Sequence, residues 1–364
     1  MSGKILFVCE HYVRNDSGGA RLMDLDRFAL EQLGYLVHYL LLGSDKLSVF
    51  EKLLYKCLLL KSDVPLKEYL SLLFIIKNSQ KEDIIFVNYS RSYLVAFIGC
   101  CFGRKVVVRS HNDEFSYFYS KLRSYSLSVI NIPRIFSCLI DILSVKIAAV
   151  ILRFSANGII FLSNAERDSF SKAQNFRYVI FPFFAVPSQD FVASCNGEEP
   201  SNTRLRKVVF LGSGKFFANS LSLQDFCDEV DMEKANMELH VIGSGYSELF
   251  MSQYCMRKVV FHGFVKDLSS SLKNYDLALA PISIGAGIKV KIIDYLLAGL
   301  PVLAHKHSKI AFEDFDCVLD YGSTSDFNGK VSSFCIPSKE DVFNEVELLC
   351  NSRLKSLRQF LAVI

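Results

Sequence analysis

Short apolar runs bounded by turn residues recur along the first half of the chain, at residues 5–9, 37–42, 84–88, 106–109, 158–162 and 179–181. Helix-like stretches fill most of the gaps, and strands alternating with helices predict parallel βαβ units. From residue 185 the alternation stops, and Pro187, Asn196, Gly197, Glu198, Glu199, Pro200 and Ser201 make a polar stretch that reads as a linker. A second series follows at residues 208–211, 239–242, 259–262, 277–281, 301–304 and 317–320. The pattern predicts an α/β protein of two Rossmann-like domains, residues 1–184 and 207–364, joined by residues 185–206. The domains are expected to face each other across a cleft lined by both sets of strand C-termini.

Residues 46–77 and 115–155 are longer than a crossover between parallel strands requires. Both are rich in Leu, Ile, Phe and Tyr, with six Lys against three acids in the first and five Lys and Arg against one acid in the second. Helices of this composition either pack on a core with a solvated charged face or lie on an anionic membrane with their basic residues toward the headgroups. Residues 136–152 are the best candidate for a spanning helix, but Asp141 and Lys146 interrupt them, and no span is expected. Residues 1–8 give a short strand followed at once by Glu10 and His11, without the length or cleavage site of a signal peptide.

At 364 residues, 51% hydrophobic and 22% charged, the chain is neither disordered nor collagenous. Its net charge of +3 is unevenly spread: residues 1–183 hold 23 Lys and Arg against 16 acids, and residues 184–364 hold 18 against 22. That excess is too small for a nucleic-acid groove, and it suits an anionic lipid surface or a phosphorylated substrate. The 11 cysteines are scattered without a C-x-x-C pair, which predicts a reducing cytoplasm over a disulfide framework or zinc site.

Residues 277–304, LALAPISIGAGIKVKIIDYLLAGLPVLA, carry the most chemical information. A strand ends at Pro281, a loop holds Gly285 and Gly287, and a helix is expected from about Ile288 to Gly299. Gly287 lets the backbone approach a ligand, and the first N–H groups of a helix attract anions. Lys289 and Lys291 add positive charge, and Asp294 can accept hydrogen bonds from sugar hydroxyls.

This segment resembles the donor-binding helix of the retaining GT-B glycosyltransferases of the group 1 class, family four, in the variant where G-x-G-I-K-x-K precedes the acidic position. FLGSGKFFANS (210–220), IGSG (242–245) and VVFHGFVKDLSSSLKNYDLALAP (259–281) resemble the strands and turns that lead up to it. CEHYVRNDSGGARLMDLDRFALEQLGYLVHYL (9–40) resembles the first βαβ unit, with Gly18 and Gly19 in a loop facing the donor. RSHNDE (109–114) resembles the segment after the fourth strand, where the family places a His beside the reacting centre; here that is His111. FLSNAERDSF (161–170) resembles a strand and capped helix, with Ser163 and Glu166 as a capping box. Two departures stand out. Many members carry two Glu eight positions apart; here the second is Asp294 and the first position is Ala286. The chain also ends soon after the helical pattern at 339–361, so the family's last helix, crossing back onto the N-terminal domain, is expected to be short or absent.

The resemblance implies an acceptor-binding domain at 1–184, a nucleotide-sugar domain at 207–364, and retaining transfer to a glycan or lipid-linked glycan in bacterial surface polysaccharide synthesis. It places Gly18, Gly19, Gly287, Ile288, Lys289, Lys291 and Asp294 at the donor, with His111 and Lys289 in catalysis. No cofactor is expected beyond the nucleotide sugar. Asp24–Asp26 lies in a helical pattern and Asp314–Asp316 in an aromatic-rich loop, so neither has the strand-end context of a metal–diphosphate site, and no metal is expected. The predicted location is the cytoplasm, at the inner face of the membrane. A nucleotide-sugar epimerase of the same fold and a catalytically silent nucleotide-sugar or glycan-binding protein are the alternatives. A dehydrogenase is disfavoured, because DSGGAR follows the first strand where G-x-G-x-x-G would be needed.

Overall fold

The computed structural model describes the chain apart from residues 1–2, 11–17, 44–45, 58–63, 82, 89–91, 111–117, 120, 124–131, 171–175, 187–205, 256, 286 and 334–335. It divides into two compact units, Met1–Phe184 with Arg353–Ile364, and Ala185–Ser352.

The first unit holds β1 (Lys4–Glu10), β2 (Leu36–Leu42), β3 (Ile84–Asn88), β4 (Lys105–Arg109), β5 (Gly158–Phe161) and β6 (Tyr178–Ile180). They form one parallel sheet in the order β2-β1-β3-β4-β5-β6. Continuous apolar strands buried on both faces are what a parallel sheet needs, and all five residues of β3 are buried. On one face the Phe7 ring stacks on Tyr39 at 5.2 Å and on Phe86 at 5.1 Å, across three adjacent strands. On the other, Val8, Ile85, Val87, Val106 and Val108 meet α3 (Leu66–Asn78), α4 (Tyr93–Cys101) and α5 (Ile132–Ser155). Helices α1 (Gly18–Gln32), α2 (Val49–Cys57) and α6 (Asn164–Phe170) also lie within residues 1–184.

Helix α5 departs from the expectation drawn from Asp141 and Lys146. It has 24 residues and a mean hydropathy of 2.3 over its most apolar window, so by length and composition it could cross a membrane. One acid and one base amid Ile, Leu, Val and Phe do not offset that apolar content. Its buried residues Cys138, Ser144, Ala148, Leu152 and Ser155 hold one edge to the first unit.

The second unit holds β7 (Arg206–Leu211), β8 (Met237–Ile242), β9 (Val259–Gly263), β10 (Leu277–Ala280), β11 (Val302–His305) and β12 (Val318–Tyr321), parallel and ordered β12-β11-β10-β7-β8-β9. Helices α7 (Phe217–Glu229), α8 (Glu248–Cys255), α9 (Leu268–Leu272), α10 (Lys291–Leu297), α11 (Thr324–Ser333) and α12 (Lys339–Val363) follow in chain order. The strand order reverses between β7 and β10, and in doubly wound sheets ligands bind outside the strand C-termini at that reversal. Of the expected linker, residues 187–205 lie outside the described residues, and Arg206 already belongs to β7.

The end of the chain also corrects an expectation. Helix α12 runs for 25 residues, and Arg353–Ile364 belong to the first unit, not to a domain spanning 207–364. Leu357 and Leu361 are buried, and Phe360 and Ile364 press on Gly158 of β5. Arg177 Nη1 donates to the Val363 carbonyl at 2.8 Å, and the Arg353 guanidinium lies 5.2 Å from the Phe183 ring centre. Leu357, Phe360, Leu361 and Ile364 fall at i, i+3, i+4 and i+7, one apolar helical face, so the last helix is neither short nor absent.

Candidate functional site

Five segments converge at the C-terminal edge of the second sheet, around its β7/β10 reversal. Two of them are Gly-Ser-Gly triplets, each directly after a strand. Gly214 N–H donates to the Ser244 carbonyl at 2.9 Å, and Ser213 Oγ donates to the same oxygen at 3.1 Å. Tyr246 Oη donates to the Gly212 carbonyl at 3.0 Å, so the turns after β7 and β8 are locked together through backbone groups.

Between β7 and β10, Leu211 N–H donates at 2.6 Å to Tyr295 Oη, which donates at 3.2 Å to the Leu279 carbonyl. Tyr295 is completely buried, and burial pushes its hydroxyl well above the ordinary phenol value. Tyr295→Phe removes a partner from a buried amide and a buried carbonyl. It should cost about 1–3 kcal/mol, the range for a buried polar group left unpaired, seen as a lower melting temperature of the second unit. An unchanged melt would show that the two backbone groups find other partners.

The loop after β10 contains Gly285 (φ 98°) and Gly287 (φ 74°), both in the left-handed region that glycine reaches without steric cost. Ser308 Oγ donates to the Ile282 carbonyl at 2.8 Å, and His307 Nε2 donates to the Gly285 carbonyl at 2.5 Å. The turn after β11 therefore clamps this loop. Lys289 Nζ donates to the Gly287 carbonyl at 3.2 Å. Lys291 Nζ reaches Asn219 Oδ1, in the first turn of α7, at 2.9 Å and lies 4.3 Å from the centre of the Phe210 ring. Asn219 Nδ2 in turn donates to the Ser213 carbonyl at 3.0 Å, tying Lys291 to the first Gly-Ser-Gly turn.

Burial lowers Lys289 to about 8; burial and the neighbouring charge of Lys289 lower Lys291 to about 7. His307 is lowered as well, by burial and by Lys289, against the opposing effect of its bond to Gly285. Two ammonium groups and an imidazole thus sit together, and no carboxylate is among the causes of their shifts. Such a site is built to receive an anion, whose charge would supply what burial has removed.

Helix α10 starts at Lys291, three residues later than expected. Ile292 N–H bonds to the Lys289 carbonyl and Ile293 N–H to that of Val290, a tight three-residue spacing, and the four-residue spacing begins only at Asp294. The left-handed backbone at Gly287 sets this late entry. Gly287, Ile288 and Lys289 therefore lie ahead of the helix, and a seven-residue helix leaves the lysines as the main source of positive charge. Asp294 is half-buried in its first turn. At the other end Gly299 (φ 69°) closes α10 as expected: its N–H bonds to the Leu296 carbonyl, and Leu300 N–H bonds to that of Tyr295.

In the first unit, Gly18 and Gly19 are the opening residues of α1, not loop residues. A helix can begin there because Gly at an N-terminal turn costs little. His111 and Ala286 lie outside the described residues. Just before His111, Arg109 is fully buried and pairs through Nε with Asp26 Oδ2 at 3.0 Å. It also donates to the carbonyls of Pro182, at 2.9 Å, and Phe181. Asn88 Nδ2 donates to the same Asp26 oxygen at 3.1 Å. Burial raises Asp26 despite the opposing Arg109 charge. This network fixes the ends of β3 and β4 to α1. Ser163 Oγ accepts from Glu166 N–H at 3.2 Å as a helix cap should, while the Glu166 carboxylate accepts from Leu162 N–H at 2.7 Å and Ser110 Oγ at 2.6 Å.

Residues 206–333 match the family described as glycosyl transferases group 1. They are therefore similar to a group 1 glycosyltransferase domain. A search of curated proteins finds no match. Among solved structures, Anabaena HepE in complex with UDP superposes with a TM-score of 0.59 at 13% identity, over 99% of this chain and 98% of that one. The Candida albicans trehalose-6-phosphate phosphatase N-terminal domain gives 0.60 at 11% identity over 100% and 97%. The E. coli trehalose-6-phosphate structure bound with UDP-2-fluoro glucose gives 0.58 at 10% identity over 100% and 99%. These likenesses establish the GT-B fold of two Rossmann-like domains, and the family match makes the enzyme class that of the glycosyltransferases.

Asn219, Tyr295 and His307 are site residues that sequence reasoning did not single out. The paired Gly-Ser-Gly turns were visible as strand-end triplets, but their contact with Lys291 through Asn219 was not.

Proposed function

We propose that this glycosyltransferase moves a sugar, with retention, from a uridine diphosphate sugar to a glycan or lipid-linked glycan acceptor in the cytoplasm, for a bacterial surface polysaccharide. The half-buried pair Lys289 and Lys291 at the β7/β10 reversal carries this reading. HepE with UDP and the E. coli structure with UDP-2-fluoro glucose support the choice of nucleotide.

Breaking the donor bond leaves charge on the departing diphosphate, and stabilising it is the largest requirement of the reaction. Lys289 and Lys291 meet that charge, the backbone at Gly287 and Ile288 approaches the phosphates, and Asp294 accepts from the ribose hydroxyls. The acceptor attacks from the leaving-group side, and a diphosphate oxygen takes its proton. By the resemblance to the family, Gly18 and Gly19 are assigned to donor binding and His111 to the transferred sugar.

Incubating the protein with labelled UDP sugars and candidate acceptors should release UDP and form a glycoside. An isomerised donor would make the protein an epimerase, and binding without turnover a silent partner. Transfer should persist in excess EDTA, because neutralisation is assigned to lysines that a chelator cannot remove. Complete loss restored by magnesium would instead assign it to a metal. His111→Ala should lower kcat and kcat/KM together by about 10²-fold, as loss of a positioned polar or proton-transferring group does, while UDP affinity stays within about twofold. A near-normal kcat would remove His111 from the reaction.

A further inference from the structure

Helices α3, α4 and α5 cover one face of the first sheet, and in most α/β domains the outer side of such a layer is polar. Here it is not. Helix α3 buries Tyr69, Leu72 and Ile76 against the sheet yet also exposes Leu66, Leu70 and Phe74, spaced at i, i+4 and i+8. Helix α5 exposes Ile132, Phe136, Leu139, Leu143, Val150 and Phe154 in one stripe opposite its buried edge, with Phe136 64% and Phe154 83% exposed. Helix α2 adds Val49, Phe50 and Leu53, and Phe97 projects from α4. Isolated exposed apolar residues need no explanation, but a set this extensive on one helical layer marks an interaction surface.

Charge selects the occupant. The exposed charges among these residues are mostly basic, including Lys52, Lys67, Lys77, Arg134, Lys146 and Arg153. The acids of α2 and α3 are engaged by backbone amides: Glu51 accepts from the N–H groups of Ser48 and Leu66 at the surface, and Glu68 from that of Gly43. A second copy docking through this face would set one basic excess against another. An anionic bilayer supplies apolar depth and opposite charge together.

We propose that α2, α3 and α5 lie in the interface of an anionic membrane, with Phe74, Phe136 and Phe154 among the residues entering the acyl region and the lysines and arginines at the headgroups. Helix α5 lies along the surface and does not cross it, because its Cys138–Ser155 edge is packed into the first unit. The inference does not rest on the donor reading, since no residue of this surface belongs to the nucleotide site.

Flotation of the full chain with vesicles of phosphatidylcholine alone, or with about one-third phosphatidylglycerol, tests it. Binding to the anionic vesicles that weakens with salt is expected. The triple variant F74S/F136S/F154S should lose about tenfold or more of that binding, and Lys52→Glu with Arg134→Glu should abolish the preference for anionic lipid. UDP affinity and melting temperature, read in parallel, show that the variants are folded. Wild-type protein that floats with neither vesicle, or a triple variant that floats like wild type, overturns the proposal. A concentration-dependent dimer abolished by the triple variant, without vesicle binding, overturns it in favour of self-association.

Discussion

Lys289→Ala should weaken UDP binding by about 1.5–3 kcal/mol, the range for hydrogen bonds to charged groups, or roughly 10- to 150-fold in dissociation constant. The size follows from the surroundings of the ammonium. Lys289 is half-buried, its hydrogen bond is to the neutral Gly287 carbonyl, and loss of solvent around it has brought it to about 8. A diphosphate there gains a charged donor screened from water, which an exposed lysine could not offer. Lys289→Arg should recover little, since the guanidinium does not fit the short reach to Gly287. Calorimetry with UDP reads the effect, and an unchanged affinity would take Lys289 out of the donor site.

The same lysines make binding depend on pH in a determined direction. Their values in the folded protein, about 8 and about 7, lie below the ordinary 10.5, so between these limits the unfolded chain holds more protons. Stability of the ligand-free protein therefore rises as pH rises from about 7 toward about 10. A bound diphosphate reverses the preference by favouring both charged forms. UDP affinity should be greatest below about pH 7 and fall above it, by up to about tenfold per pH unit for each lysine that must be recharged. At pH 8 binding should take up protons, so its apparent enthalpy should differ between buffers of different ionisation enthalpy. Equal enthalpies would mean that the lysines are already charged in the free protein.

The strands were legible because each is a short apolar run closed by Gly, Pro, Asn or a charged residue, and all twelve among the described residues coincide with predicted runs to within a few residues. Gly299 was legible as a helix stop because its left-handed conformation is a local property. What was not legible depends on which strands become neighbours. Lys291 and Asn219 are 72 residues apart in the chain, and Arg109 and Asp26 are 83 apart. Neither pair carries a local signal, because each meeting follows from sheet order and crossover handedness. Asp26 looked like an ordinary polar position on α1, and only the burial of Arg109 behind it shows that it anchors the exit of β4. The start of α10 was misplaced because Gly287 and the apolar residues near it satisfy a helix pattern, whereas the left-handed glycine delays the turn to Lys291. Helix α12 was underestimated because its terminal apolar face has meaning only once a sheet is present to receive it.

Gly243→Ala should be among the most damaging small substitutions in the second unit. Gly243 has φ 147°, and a Cβ there would lie 2.6 Å from the Gly212 carbonyl carbon and closer still to its oxygen. Those are backbone atoms of the adjoining Gly-Ser-Gly turn, so no side chain can rotate away, and the turns after β7 and β8 must separate. Strained backbone costs about 1–3 kcal/mol and overpacking a similar amount, which together predict roughly 2–6 kcal/mol and a fall of roughly 4–24 °C in the melting of that domain. Separation would also move Ser213, and with it Asn219 and Lys291, so the KM for the donor should rise even where the protein remains folded. Gly263→Ala provides the control: its φ is 69°, but no heavy atom lies within 4 Å of the added carbon. It should cost about 1–2 kcal/mol from left-handed backbone alone and leave the donor KM nearly unchanged. Equal losses for the two alanines would mean that backbone strain accounts for both, and that the close contact between the two turns does not hold the site.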